Sequence, residues 1–169
     1  MVVIASSTMP RVLDALTASV GDSKLAVASE AGWLRFRIEH GIAERGADYT
    51  EGESYPQEAA LEKDEVSFSK GCYLGQEAVF MLEKRGHVSK RLVQLEIPTG
   101  TAFVGAEVRD LEGGVIGKLT SVAPRDNGSI ALGMVKYKHA RAAHEVRIGG
   151  EAEGVGARVT SLLAIASDA

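Results

Sequence analysis

The sequence predicts an α+β protein: a helical first half followed by a small antiparallel β-barrel. Three observations carry this. Residues 1 to about 88 place apolar side chains at helical spacing between loops, whereas from Lys90 the pattern changes to alternation broken by turns. Asp126-Asn127-Gly128 sits between two apolar runs, as a hairpin connection does. Nineteen glycines with only 5% aromatics describe many turns and a lean core of Val, Leu, Ile and Ala. The expected domains are residues 1–88 and 89–169.

Taken in order, Val2 to Ala5 reads as a short, wholly apolar strand with no hairpin partner before it. It is either an ordinary edge strand, or one whose neighbours belong to a preceding portion; the chain would then be the C-terminal part of a longer one. After Pro10, Val12, Leu13, Leu16 and Val20 fall at helical spacing and Gly21 closes the run, predicting a helix near 9–20. Lys24 to Ala28 fits a second strand. Ser29 then caps a helix with the apolar set Ala31, Leu34 and Ile38, ended by Gly41. Trp33 and Arg37 share one of its faces. Glu39 lies about 120° away around the axis, four residues after Arg35.

Residues 44–65 hold eight carboxylates against Arg45 and Lys63, a local charge of −6, and read as a turn-rich surface loop. Gln76 to Lys84 predicts another helix, apolar almost all round from Ala78 to Leu82 and therefore buried. Leu92, Leu95 and Ile97 form a strand before the turn at 98–100. Further strands at 107–110, 115–122, 130–135, 144–148 and 155–163 give five to six short antiparallel strands, a small barrel.

A net charge of −4 argues against a nucleic-acid protein held by global charge. No apolar run approaches the roughly 20 residues of a membrane helix, and the opening residues lack the basic stretch of a signal peptide. A single cysteine, Cys72, excludes a disulfide within the chain and a cysteine-cage metal site. A cytoplasmic protein is expected, without nucleic-acid, membrane or metal partners.

The segment that stands out is Lys70-Gly71-Cys72-Tyr73-Leu74-Gly75-Gln76-Glu77. Two glycines bracket a cysteine and a tyrosine directly ahead of a helix, whose first N–H groups lack partners. Beside Lys70 and that helix start, Cys72 reads as an activated thiol, or else as a small buried hydrophobe. A basic cluster, Lys84, Arg85, His87, Lys90 and Arg91, follows with no acid among it. His40, His139 and His144 sit without spaced partners and take no role.

Lys70-Gly71-Cys72-Tyr73-x-Gly75-Gln76-Glu77 resembles the signature of the YgfZ-type folate-binding proteins, relatives of the glycine-cleavage T-protein (aminomethyltransferase). The same family order is followed by Trp33-Leu34-x-x-x-Ile38-Glu39-x-Gly41 and by Tyr55-Pro56-Gln57-Glu58. Arg85-Gly86 with Lys90-Arg91-Leu92, and Gly117-x-Leu119-Thr120-Ser121, continue it. The resemblance implies a three-domain family built around a central hole for tetrahydrofolate, with chains near twice this length. What resembles it here is the later part of the folate-binding region plus the C-terminal barrel.

The resemblance also implies roles. Cys72 would be the functional thiol, a residue T-proteins generally lack, which favours the iron–sulfur maintenance branch. Trp33 would stack on the pteridine ring, or serve as a core aromatic. Glu39 would accept hydrogen bonds from the pterin edge, or simply pair with Arg35. Lys70, Tyr73 and Arg85 would complete the site of tetrahydrofolate or a one-carbon derivative. The basic cluster would meet the glutamyl tail or an acidic partner, or act as a solvated hinge. The implied function is support of iron–sulfur cluster assembly or repair, with iron–sulfur proteins as partners. A folate-dependent aminomethyltransferase and a non-catalytic binding module are the alternatives.

Overall fold

The computed structural model describes residues 5–20, 28–62, 65–85, 87–150, 154–160 and 163, apart from the side chains at 83 and 85. The chain divides into two compact units, Met1–Glu30 and Ala31–Ala169. In the first, a 3-10 turn at Ser6–Thr8 leads into helix α1 (Met9–Ser19), with Pro10 in its first turn, where a missing N–H costs nothing. None of the α1 residues is buried. The strands expected at Val2–Ala5 and Lys24–Ala28 fall, but for Ala5 and Ala28, outside the described residues.

The second unit holds all of helix α2 (Glu30–Glu39) but its first residue, helix α3 (Gln76–Arg85) and six strands. These are β1 (Lys90–Ile97), β2 (Glu107–Arg109), β3 (Val115–Arg125), β4 (Gly128–Lys136), β5 (Glu145–Ile148) and β6 (Val155–Val159). They close into an antiparallel barrel in the order β1-β4-β3-β2-β5-β6, with β6 pairing back onto β1. Closure leaves no strand edge unpaired. The barrel, expected with five to six strands, has six; its last strand stops at Val159, short of 163.

Alternation along each strand gives the barrel two apolar faces. Inward, Val93, Leu95, Ile97, Val108, Leu119, Val135, Val146, Ile148 and Val159 fill the interior. Each such side chain contributes about 1.5–3 kcal/mol by leaving water. Outward, Leu92, Ala123, Ile130 and Leu132 form a second apolar cluster, covered by Ile38 of α2 with Leu34 and Ala43 at its margin. The outer face of β1, β4 and β3 is therefore the bed on which α2 lies.

The β3–β4 hairpin is joined by Asp126 and Asn127 as expected, with Arg125 paired to Gly128. Neither turn residue takes a positive φ. Gly128 is needed for another reason: a Cβ there would lie 2.0 Å from the carbonyl oxygen of Ile97.

Two expectations fail here. Residues 44–65 are not a loop wandering over the surface, because Asp48, Gln57, Glu58 and Ala59 are buried. The amide of Leu92 donates to the Glu58 carbonyl (2.6 Å), and Arg91 bonds the Gln57 carbonyl (2.9 Å) and the Glu62 carboxylate (2.6 Å). The segment's acidic side chains serve as counter-charges for the barrel, which charge counting alone reads as solvation. Second, the 78–82 stretch of α3 is not enclosed. Val79 is buried, but Ala78, Phe80 and Met81 are exposed.

Candidate functional site

The site is built outward from a buried ionic knot. Arg37, on the inner side of α2, is 2% exposed and Asp48 3%. The Asp48 carboxylate accepts four hydrogen bonds: from Arg37 NH1 (2.6 Å), the Glu44 amide (3.0 Å), Thr120 Oγ1 (2.6 Å) and Ser121 Oγ (2.7 Å). Ser121 Oγ in turn accepts from Arg37 NH2 at 2.6 Å. Two charges out of water are tolerable only when so fully partnered. Thr120 can reach because the β3–β4 register shifts between Leu119 and Ser121, a bulge that turns two successive hydroxyls toward one carboxylate.

A second tie holds the end of the helix. Gln94 of β1 donates from Nε2 to the carbonyls of Ile38 (2.6 Å) and Glu39 (3.2 Å), which the last turn of α2 leaves unpaired within the helix. Thr160 Oγ1 donates to Gln94 Oε1, fixing the amide's orientation. The C-terminal half of α2 is thus anchored to the barrel.

Its outer side is open. Trp33 is 47% and Phe36 46% exposed, their rings stacked with centroids 5.9 Å apart, and His40 stacks on Phe36 at 4.0 Å. The expected shared face of Trp33 and Arg37 is corrected by this: four residues apart, one side chain faces solvent and the other the barrel. Nor is Trp33 a core aromatic. Its ring face is available for a flat partner.

Glu39 lies on another side of α2 and makes more than the expected pair. Its Oε1 accepts from Arg35 Nε (3.0 Å) and lies 3.5 Å from Arg125 NH2, at the end of β3. The Arg35 hydrogen bond, helped by the charges of Arg35 and Arg125 and opposed by partial burial, holds its carboxyl below the usual carboxylate range. Oε1 takes both arginine contacts, so Oε2 is left to accept from an N–H edge.

The 70–77 segment presents its thiol. Cys72 is exposed, which removes the reading as a buried hydrophobe. Lys70 extends its ammonium over the Tyr73 ring, 4.7 Å from the centroid. Gly75 carries the backbone into α3 at φ +83°, a conformation that resists any side chain. Among the described residues, no hydrogen bond, ion pair or ring contact joins this segment to α2. Lys70 and Tyr73 come together, while Trp33 and Glu39 occupy different sides of one helix. Arg85 closes α3, with its side chain outside the described atoms.

The basic cluster is also corrected. Arg91 is buried against Glu62, and Lys90 lies 3.9 Å from Glu58, so two of its five members are paired rather than solvated. The histidines likewise have partners: His139 Nδ1 and His144 Nε2 are 3.1 Å apart. Sequence reading missed the Arg37–Asp48 knot and Arg125. Its trace was the Thr120-Ser121 pair within the family-like motif; nothing in the acidic stretch singled out Asp48.

No protein-family model matches the chain. It is 37% identical over 86 residues to the mitochondrial iron–sulfur cluster assembly factor IBA57 homolog of Chaetomium globosum, a match covering 50% of this chain and 20% of that protein. It is 34% identical over 91 residues to the corresponding IBA57 homolog of Mycosarcoma maydis, covering 52% and 23%. The matched stretch thus spans about a fifth of the length of these curated relatives. Among solved structures, the glycine cleavage system aminomethyltransferase T of Bartonella henselae superposes with a TM-score of 0.70 at 27% identity, over 90% of this chain and 44% of that one. Fold and motif define a T-protein-like barrel with its attached helices. In sequence and fold the chain is similar to proteins of the glycine-cleavage T-protein superfamily, of which it matches a part. Among the described residues no helix is long and apolar enough to cross a membrane.

Proposed function

We propose that this chain forms part of a tetrahydrofolate-binding protein that supports assembly or repair of iron–sulfur enzymes. The observation that carries the reading is the exposed Cys72 within Lys70-Gly71-Cys72-Tyr73-x-Gly75-Gln76-Glu77, in a chain similar to two proteins named as iron–sulfur cluster assembly factors. Residues 1–88 would be the C-terminal portion of the folate-binding region and 89–169 the barrel. The bound folate would supply a one-carbon carrier. Trp33 would stack on its ring and Glu39 would accept from its N–H edge. Lys70, Tyr73 and Arg85 would contact the rest of the molecule, and Cys72 would be the functional thiol. For location we keep the cytoplasmic reading, which fractionation checks; the fungal relatives are named mitochondrial.

Trp33 is the single tryptophan of the chain, so its emission reports this one ring. The solved T-protein extends well beyond the 44% matched here. Quenching by tetrahydrofolate is therefore expected when this sequence is joined to the remaining folate-binding region, and not from the 169 residues alone. Quenching by the chain alone would show that the site is complete in it; no quenching in either form would discard folate binding. A second reading, a folate-dependent aminomethyltransferase, is favoured by the T-protein superposition. It requires 5,10-methylene-tetrahydrofolate to form from an aminomethyl-lipoyl carrier, and absence of that product in the longer protein would remove it. Without either activity, a binding module remains.

A further inference from the structure

We propose that the outer face of the barrel carries a docking groove for an acidic, partly apolar polypeptide segment of a partner protein, centred on Lys118 and Lys136. A hollow of about 590 Å³ is lined by Lys90, Lys118 and Lys136, with Glu107 at one side and Val115, Ile116 and Met134 among its apolar lining. A second hollow, about 490 Å³, shares Lys136 and adds His87, Tyr137 and Lys138.

This face carries an excess of positive charge. Together the two hollows bring four lysines and a histidine against one lining carboxylate, in a chain whose net charge is −4; of the lysines, Lys90 is paired with Glu58 at 3.9 Å, which leaves Lys118, Lys136 and Lys138. Glu107 is taken up by Arg109 at 2.5 Å. Two other hollows on the barrel are balanced. One has Glu96 and Glu145 with Arg147 and Arg158; the other has Arg35 and Arg125 with Glu96 and Asp126. Among the described residues Lys118 and Lys138 make no hydrogen bond or ion pair, and Lys136 spends one donor on the Val115 carbonyl (3.0 Å). Unpaired cations around an apolar floor offer carboxylates a charge match and apolar side chains a seat.

Length decides between a peptide and a small anion. Glu107, Lys118 and Met134 are cross-strand neighbours, with β1 beyond them. The hollow therefore crosses three interstrand spacings, about 14 Å, the reach of about four extended residues. A single phosphate would satisfy two lysines and leave the apolar lining bare. The groove shares no residue with Trp33, Glu39, Lys70, Cys72, Tyr73 or Arg85, and takes in only Lys90 and His87 of the basic cluster.

The test uses the full chain and a fluorescein-labelled octapeptide of alternating glutamate and leucine, with a glutamine-for-glutamate peptide beside it, read by anisotropy. The acidic peptide is expected to bind, and to weaken steeply from roughly 50 to 300 mM salt. The variant Lys118→Glu/Lys136→Glu should bind about tenfold or more weakly, while Arg158→Glu should not change binding. Both lysines are exposed, and circular dichroism checks the fold. Lys118→Ala/Lys136→Ala supplies a milder variant. In the unaltered protein, bound peptide should protect Lys118 and Lys136 from acetylation. Equal binding of the glutamine peptide, undiminished binding by a folded double variant, or displacement by inorganic tripolyphosphate at peptide-like concentration would overturn the proposal.

Discussion

Replacing Asp48 with asparagine turns one acceptor oxygen into a donor facing other donors, and leaves the buried Arg37 with only the half-exposed Glu44 carboxylate, 3.0 Å from its Nε, as counter-charge. Asp48→Asn is expected to cost about 3–5 kcal/mol, measured by urea unfolding. Thr120→Val, which removes one of four donors, should cost about 1–3 kcal/mol. Values near zero for both would mean the knot is dispensable. Cys72 behaves oppositely. Being exposed, it should alkylate fully in the native protein, and Cys72→Ser should move stability by no more than about 0.5 kcal/mol. On the proposed function, that same variant loses the ability to restore iron–sulfur enzyme activity in cells lacking the protein. At this scale the sequence told least. Trp33, Glu39 and Cys72 were singled out by motif, but which charges are buried depends on strands some seventy residues away.

At the scale of elements, periodicity served well wherever one face of an element is buried and poorly where neither is. The barrel strands alternate against a filled interior, so their positions could be read; α3 has an apolar sequence, but among its described side chains only Val79 is buried, so composition misled. The short 3-10 helix at Tyr137–His139 leads toward β5, and its His139 faces His144 just ahead of that strand. Burial lowers the pKa of His139 first, with the nearby His144, Lys138 and Lys136 adding to it and Asp110 opposing. A depressed histidine favours the fold while neutral. That contribution is complete above the ordinary histidine value of about 6.5 and is lost as pH falls through the lower folded value. Two imidazolium rings also cannot share the 3.1 Å hydrogen bond. Melting temperature should therefore drop as pH falls from about 6.5 toward 5, and the drop should be smaller in His139→Asn. Parallel curves for the two proteins would exclude this pair as the cause.

For the whole molecule, the barrel and its bound segments should open as one. Hydrogen exchange is expected to be slowest at amides of β1, β3 and β4, which carry both apolar clusters, and fast along α1, which buries no residue. Ile38→Ala tests how far the outer cluster counts. It should cost about 2–5 kcal/mol, since Ile38 is wholly enclosed against Leu92, Ile130 and Leu132. A cost below about 1 kcal/mol would mean that α2 is held by its polar ties alone. The overall class was readable from the alternation after Lys90 and the hairpin at 126–128. How residues 44–62 grip the barrel was not, because a counter-charge and a solvated charge look alike in a string of letters.

The irregularity at Thr120 has one more implication. Leu119 points inward and Ser121 outward, as consecutive strand residues would, so excising Thr120 would leave its neighbours facing as they do now and tidy the ladder. Sheet geometry therefore supplies no motive for the extra residue. Its motive is the carboxylate above it: a one-codon deletion there should yield a sound barrel in which Asp48 has lost one of its four donors.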